Sequence, residues 1–196
     1  MSEARWRMFV AVDLAPAAGD SLAGVVDGIG PLPAGRWLER STWHLTLAFL
    51  GDVPASRVGR LGRAFGEVAA AAEPFPLRVA GGGTFPDRGA PRLLWAGLDG
   101  DGGALGRLAT AVTRAARAAH LRLERRPFTP HLTLARFRNA PPGAADPALA
   151  ALAGYAGPTC TVREFALIRS ELGPPLVHTP VHAYRLGAGG ASAATS

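Results

Sequence analysis

One short motif occurs twice in the chain. His-Leu-Thr-Leu-Ala is found at residues 44–48 and again at residues 131–135, so the two copies stand about half of the 196-residue chain apart. Alternation of polar and apolar side chains predicts that each copy is a β-strand. A repeat at this spacing predicts two lobes of similar build, related by a pseudo-twofold axis, whose motifs face each other across a cleft.

The alternation also predicts which side chains face the cleft. His44 and Thr46 point to one side of their strand, roughly 7 Å apart, and His131 and Thr133 repeat this arrangement. The leucines of both motifs, together with Phe49, are predicted to face the core. The repeat therefore predicts a site with two imidazoles and two hydroxyls.

This set of side chains favours acid–base chemistry. Metal sites usually add carboxylate or thiolate ligands to histidine, and neither stands near the two motifs, so no metal is expected. Imidazole titrates near neutral pH, and a hydroxyl donates a hydrogen bond to an anion. In-line displacement at phosphorus needs one proton donor and one proton acceptor on opposite sides of the phosphorus atom, and two facing strands would supply them.

Further elements follow from apolar spacing and from turn residues. Predicted strands cover residues 7–14, 43–50, 75–80, 93–98, 121–124, 131–137, 160–170 and 177–186. Predicted helices cover residues 16–29, 54–72 and 103–120, and the segment 139–158 is expected to hold one helical turn. Residues 81–89 are rich in glycine and are predicted to form turns.

Cysteine content, hydropathy and charge limit the partners. No apolar run approaches the ~18 residues of a membrane-spanning helix, and residues 1–13 do not read as a signal peptide, so we expect no membrane partner. The single Cys160 excludes an internal disulfide and suits a cytoplasmic protein. All 21 basic side chains are arginine and the formal net charge is +6, which permits a nucleic-acid or phosphate partner.

Other blocks accompany the repeat. They are the opening strand at residues 7–14, the continuation of the first motif into Gly51, the stretches 83–86 and 91–97, and residues 126–136 around the second motif. Together, over residues 5–186, these blocks resemble the RNA 2',3'-cyclic phosphodiesterases, also called 2'-5' RNA ligases, of the two-histidine phosphoesterase superfamily. The last block is the most specific.

The resemblance implies a fold and an activity. The fold class is α+β: a bilobal domain over residues 1–186, with two pseudo-symmetric lobes of antiparallel sheet, helices outside and a cleft between the sheets. Residues 187–196 lack an apolar anchor and are predicted to be a disordered tail. The implied activity is metal-independent and cofactor-independent hydrolysis of RNA 2',3'-cyclic phosphate ends to 2'-phosphomonoesters, with weak 2'-5' ligation in reverse.

The resemblance also assigns roles. His44 would donate a proton to the leaving 3'-oxygen, and His131 would accept a proton from water. Thr46 and Thr133 would hold the phosphate oxygens.

Three further residues, Arg136, Trp43 and Phe9, are expected to contact the substrate. Strict alternation places Arg136 on the face opposite His131, so it reaches the cleft only if a β-bulge turns it. Trp95 is predicted to lie in the core. For Trp37 and Trp43, a place in the core and a role in base stacking both stay open.

The C-terminal block departs from the family. A tyrosine usually stands where this chain has His178-Thr179-Pro180. His178 and His182 are four residues apart, as in a helical metal pair, but Pro180 between them favours an extended segment.

Two other functions stay open at this stage. One is a phosphodiesterase for a small cyclic phosphate such as an ADP-ribose derivative, and the other is a non-catalytic RNA-binding module. In each case we expect a monomer whose partners are RNA ends or small cyclic phosphates.

Overall fold

Antiparallel strands dominate the computed structural model, which describes residues 3–124, 127–171, 173 and 176–187. The strands are β1 (Arg5–Asp13), β2 (Gly35–Trp37), β3 (His44–Pro54), β4 (Phe75–Phe85), β5 (Leu93–Gly100), β6 (Leu132–Phe137), β7 (Cys160–Val162), β8 (Glu164–Glu171) and β9 (Val177–Arg185). The α-helices are α1 (Pro16–Ile29), α2 (Ala55–Ala70), α3 (Gly102–Ala118) and α4 (Asp146–Ala153).

The sheet consists of two related halves. Its order is β7-β4-β5-β6-β3-β1-β8-β9, and β2 pairs with the motif strand β6. The motif strands β3 and β6 are therefore central, and they pair at Leu45 and Leu132. Each half adds three strands outside its motif strand, which confirms the predicted bilobal α+β fold with antiparallel sheets.

Two helices cover each half. Helices α2 and α3 pack on each other and on β3, and α2 also contacts β8 and β9. Helix α4 packs on β4, and α1 packs on both α4 and β4. Helix α1 follows β1 yet covers the half that contains β4, while α3 follows β5 yet covers the half that contains β3. This exchange of helices links the two halves.

Burial occurs on both faces of the strands. Met8, Val10 and Val12 of β1 belong to the main core beneath the helices. Phe9 and Ala11 alternate with them and form a separate buried cluster with Ala166 and Ile168 of β8. The second cluster supplies an apolar floor on the cleft side of the sheet.

Strand β4 continues through the glycines that predicted a turn. The predicted turn at residues 81–89 is wrong up to Phe85, where β4 ends. Gly82 and Gly83 do not reverse the chain; they leave room for neighbouring side chains. A Cβ at Gly83 would lie 2.3 Å from the Trp95 ring, and one at Gly82 would lie 2.7 Å from Leu152. Because the two glycines have no side chains, Trp95 and Leu152 can pack directly against the strand.

Other boundaries also differ from the predictions. Residues 121–124 are not a strand, because Leu121 is buried where its N–H donates to the Ala116 carbonyl and closes the end of α3. The predicted strand 160–170 is two strands, since β7 pairs with β4 and β8 pairs with β1 on the other half. The segment 139–158 contains the eight-residue helix α4 rather than a single turn. The short strand β2 was not predicted.

The C-terminal end of the described chain is tied to the fold. Gly187, the first residue of the predicted tail, donates its N–H to the Ala69 carbonyl at the end of α2. Residues 188–196 lie outside the described residues. Among the helices of the described part, none is long and apolar enough to cross a membrane.

Candidate active site

The two histidine motifs meet at the centre of the sheet. Leu45 and Leu132 are antiparallel partners and are buried, 3% and 0% exposed, against the core. Continuing this register by one residue on each side sets His44 beside Thr133, and it sets Thr46 beside the second histidine. Both histidines and both threonines are half-buried on the cleft side. The four predicted polar side chains are therefore brought together, each imidazole next to the threonine of the other copy.

Both motif strands contain a β-bulge directly after the threonine. On β3, Thr46 pairs with Ala11 and Ala48 pairs with Val10, so the residue between them is unpaired. On β6, Thr133 pairs with Trp95 and Ala135 pairs with Leu94, again with an extra residue between them. A bulge shifts the alternation of side chains by one position.

The bulges change what faces the cleft. Phe49 pairs with Phe9, whose side chain is on the cleft side, and is 69% exposed. The prediction that Phe49 faces the core is therefore wrong. Arg136 pairs with Leu93, which lies two residues from Trp95 and on the same face of β5. The bulge on β6 therefore turns Arg136 to the cleft side, as an expected contact with the substrate requires. Arg136 is exposed there.

A backbone carbonyl orients each catalytic candidate. Nδ1 of His131 lies 2.7 Å from the Thr129 carbonyl oxygen. Because a carbonyl only accepts, Nδ1 carries the proton and the neutral ring has its lone pair on Nε2. His44 likewise donates to the backbone of Thr42, which favours its protonated form. The repeat is thus longer than five residues: a threonine stands two positions before each histidine, a signal that the sequence analysis missed.

Aromatic rings surround His44. Phe9 stacks on it with ring centroids 4.7 Å apart, and His178 meets it edge-on at 5.3 Å. The pKa of His44 is lowered to about 4, first by burial, then by the neighbouring His178 and, more weakly, by His131. The imidazole of His44 is therefore neutral at pH 7 in the free protein.

A different set of rings surrounds His131. Phe85 meets it edge-on at 5.0 Å, and Trp95 lies 6.4 Å away. Trp95 is half-buried on the cleft side, so its predicted place in the core is wrong. The close fit of its ring over Gly83 explains this position.

Of the remaining aromatic candidates, Trp43 and Trp37 lie in or against the main core, whereas Phe9 is buried on the cleft side. Trp43 is 6% exposed in the main core and offers no face for a base, so the structure does not place it as the expected substrate contact. Trp37 packs against the same core and donates its Nε1–H to the Gly30 carbonyl at 2.9 Å. Phe9 is 4% exposed and contacts His44 rather than open space.

The two C-terminal histidines lie on opposite faces of β9. His178 pairs with Ser170 on the cleft side, whereas His182 pairs with Leu167, which belongs to the main core. A register shift between these pairs separates histidines that a regular strand would align. The segment is extended, as Pro180 indicated. Among the described residues, no three His, Cys, Asp or Glu side chains are grouped as metal ligands.

This geometry matches a known family. A model described as the 2'-5' RNA ligase superfamily matches residues 19–174. The chain belongs to this superfamily. It is 41% identical over 133 residues to a protein from Geobacillus stearothermophilus named RNA 2',3'-cyclic phosphodiesterase; the match covers 67% of this chain and 42% of that protein. The protein of the same name from Thermus thermophilus is 32% identical over 86% of this chain and 83% of its own length.

A solved structure shares the architecture. The crystal structure of E. coli LigT complexed with 3'-AMP superposes with a TM-score of 0.76 at 26% identity. The superposition covers 94% of this chain and 99% of LigT.

Cationic groups flank the cleft of this superfamily member on the His131 side. Arg136 pairs with Arg36 of the edge strand β2, so the two guanidinium groups lie on the same face. Both residues are exposed, and neither forms an ion pair within the described part of the chain. Like charges on directly opposite residues repel. An anion bound between them would relieve this repulsion.

Proposed function

We propose that this protein hydrolyses RNA ends that carry a 2',3'-cyclic phosphate and leaves a 2'-phosphomonoester. The proposal assigns His44 as proton donor, His131 as proton acceptor, and Thr46 with Thr133 as donors to the phosphate oxygens. The carrying observation is that two imidazoles, each oriented by a carbonyl two residues earlier, lie on facing halves of one sheet. The names of the relatives from Geobacillus and Thermus support the substrate class.

The reaction follows from the tautomers. Nε2 of His131 removes a proton from water, and the water oxygen forms a bond to phosphorus. The bond between phosphorus and the 3'-oxygen breaks on the opposite side, and His44 protonates that oxygen. The product has a 3'-hydroxyl and a 2'-phosphate, and exchange with solvent returns both imidazoles to their starting states. The threonine hydroxyls would stabilise the charge that develops on the phosphoryl oxygens.

The substrate itself would supply the charge that lets His44 act as a proton donor. His44 is neutral in the free protein, since its pKa is lowered to about 4. An anionic phosphate between the two rings raises the pKa of a neighbouring imidazole, because opposite charge stabilises the protonated form. The donor is therefore charged chiefly in the complex.

Three exposed side chains would hold the rest of the RNA end. Phe49 offers an open aromatic face on the His44 side, where a nucleobase could stack. Arg136 and Arg36 would hold phosphate oxygens on the His131 side. In this proposal Phe9 and Trp43 do not contact the substrate, and they support the site only indirectly.

The decisive experiment compares the parent protein with His44→Ala and His131→Ala on a short RNA ending in 2',3'-cyclic phosphate, with and without a chelator. Each substitution should lower kcat about 10²- to 10⁴-fold, the usual value of one acid or base. His120→Ala is the matched control, since His120 follows α3 and is exposed. Near-full turnover by His131→Ala would refute the mechanism, and activity that returned only with added zinc would refute metal independence.

A small cyclic phosphate is the second candidate substrate. The crystallised complex of E. coli LigT with 3'-AMP shows that a relative with this architecture binds a single nucleotide. A mononucleotide 2',3'-cyclic phosphate and a cyclic phosphate of an ADP-ribose derivative therefore belong in the same assay. A kcat/KM that is higher for either of them than for RNA would favour the second candidate. A monomeric state and a cytoplasmic location stay predictions from the sequence.

A further inference from the structure

A third imidazole lies at the cleft. The ring centroid of His178 is 5.3 Å from that of His44 and 5.0 Å from that of Phe9, and its ring is edge-on to both. Phe9 in turn stacks on His44 at 4.7 Å. We call Phe9, His44 and His178 the three-ring cluster. Each ring of the cluster restricts the other two.

The cluster makes the two halves of the site unequal. In the described structure, the ring neighbours of His131 are Phe85 and Trp95, neither of which titrates near neutral pH. His44 instead has a neighbour whose charge changes within the working range of an imidazole. The difference in chemistry between the halves is thus concentrated at the proposed proton donor.

We propose that His178 is a positioning residue for proton transfer by His44. Its ring edge holds the His44 imidazole against Phe9, and its charge, when present, opposes a second charge on His44. This inference rests on the proposed function, because it acts on the step in which His44 donates a proton to the leaving oxygen.

Few charged residues of the described structure act on the cluster. On β1, Asp13 is the register partner of His44 and raises the pKa of His178 against the lowering by burial. On β8, Glu164 raises the pKa of Asp13, after the larger effect of lost hydration, while His178 lowers it. On β6, His131 adds a smaller lowering of the pKa of His44.

On β1, Arg7 stands two residues before Phe9 on the same face of the sheet and is exposed. The described parts of β3 and β8 add no further charged partner to the cluster. Ser170, which pairs with His178, is uncharged, and its neighbours Arg169 and Glu171 form an ion pair with each other at 2.8 Å. On β3, no titratable residue stands between His44 and Asp52. In the free protein, the pKa of His44 therefore depends on burial, on His178, on the Thr42 backbone and, more weakly, on His131. The substrate would add its own charge.

The test separates the ring from its charge. His178→Phe keeps an aromatic ring in the cluster and removes the charge, whereas His178→Ala removes both. His182→Phe is the matched control, because His182 is on the same strand but on the opposite face. The readouts are the pKa of His44 in the free protein, measured by NMR titration of its imidazole, and the pH profile of kcat/KM on RNA cyclic phosphate.

We expect His178→Phe to raise the pKa of His44 by about half a pH unit or more, since it removes a like charge within ~6 Å. Because His44 must be protonated to act as the donor, the high-pH limb of kcat/KM should move to higher pH by the same amount. His178→Ala should show this change and also a lower kcat, because the ring of His44 is less restricted. His182→Phe should leave the pKa and the profile unchanged.

An unchanged pKa of His44 in His178→Phe, or an equal change in His182→Phe, would overturn the inference. If His178→Phe does not fold, His178→Gln, which also lacks a charge, gives the same comparison. The NMR measurement needs no turnover, so a parent protein without hydrolytic activity would refute the proposed function while the pKa comparison still decided the role of His178.

Discussion

At the scale of single residues, the exposed face of Phe49 is the feature of the cleft that the proposed function uses for the nucleobase. A phenylalanine that is 69% exposed beside a buried aromatic cluster loses hydrophobic stabilisation in the free protein. Its position corresponds to that of Arg136 in the second copy, because each follows its histidine by five residues and its bulge by the same step. The two copies thus present an aromatic face on one side of the cleft and a cation on the other.

Phe49→Ala should weaken the binding of an RNA end without removing catalysis. Loss of one base-stacking contact costs about 1–3 kcal/mol, so Kd should rise about fivefold or more. Fluorescence anisotropy with an RNA that ends in the product 2'-phosphate measures this without turnover. Phe128→Ala is the control, since Phe128 is 36% exposed and lies near α3. Equal losses in both variants would speak against base stacking at Phe49.

The sequence identified the four central side chains because the leucines between them alternate regularly up to the bulges. It did not predict the position of Phe49, since a bulge leaves no mark in hydrophobic alternation. The sequence marked His178 as a departure from the family and as half of a disfavoured metal pair with His182, but not as a neighbour of His44. Its contact with His44 depends on pairing between β9 and β8 and between β8 and β1, which only the folded sheet shows.

At the scale of elements, β4 illustrates how glycine can be misread. Three successive glycines predict a turn when local propensity alone is considered. In the folded chain Gly81 adopts φ +63° at a register shift, while the next two glycines admit the side chains of Leu152 and Trp95. The long-range contact decides the structure. Helices α1, α2 and α3, whose apolar spacing is local, agree with the predictions within two residues of their ends.

Gly83→Ala should therefore disturb the site through Trp95. The added Cβ would lie 2.3 Å from the indole ring, which must move, and that ring is 5.5 Å from Phe85 and 6.4 Å from His131. We expect a loss of about 1–3 kcal/mol in the free energy of unfolding and a lower kcat.

Urea unfolding and single-turnover hydrolysis measure the two effects of Gly83→Ala. Gly66→Ala in α2 is the control, because a Cβ there meets nothing within 4 Å. Removing a helical glycine should leave the protein equally stable or more stable. Full activity and stability in Gly83→Ala would show that the ring does not depend on this glycine.

At the scale of the whole molecule, the two halves share one continuous sheet but bury different neighbours around equivalent histidines. The half-chain repeat in the sequence predicts the pseudo-twofold relation, because the same motif in each half predicts a strand with the same alternation. It does not predict which helix covers which half. The exchange of α1 and α3 between the halves is a packing outcome with no local signature.

The inequality of the halves should appear in the acid stability of the free protein. His44 has a pKa lowered to about 4, below the ordinary value of 6.5 for histidine, and the pKa of His178 is lowered as well. The unfolded chain therefore binds more protons than the folded chain between these pH values. The contribution of neutral His44 to the free energy of unfolding is complete above pH 6.5 and is lost as the pH falls towards 4.

The free energy of unfolding should accordingly decline on acidification, by at most about 1.4 kcal/mol per pH unit for one proton. Urea midpoints measured at several pH values from 7 to 4 give this slope. His44→Gln removes the titrating group and should flatten the decline, whereas His120→Gln, at an exposed position, should not. A decline of the same slope in His44→Gln and in the parent would show that His44 is not held neutral by the fold. His44 would then not need the charge of the substrate to become protonated. The proposal that His44 is charged chiefly in the complex would be wrong.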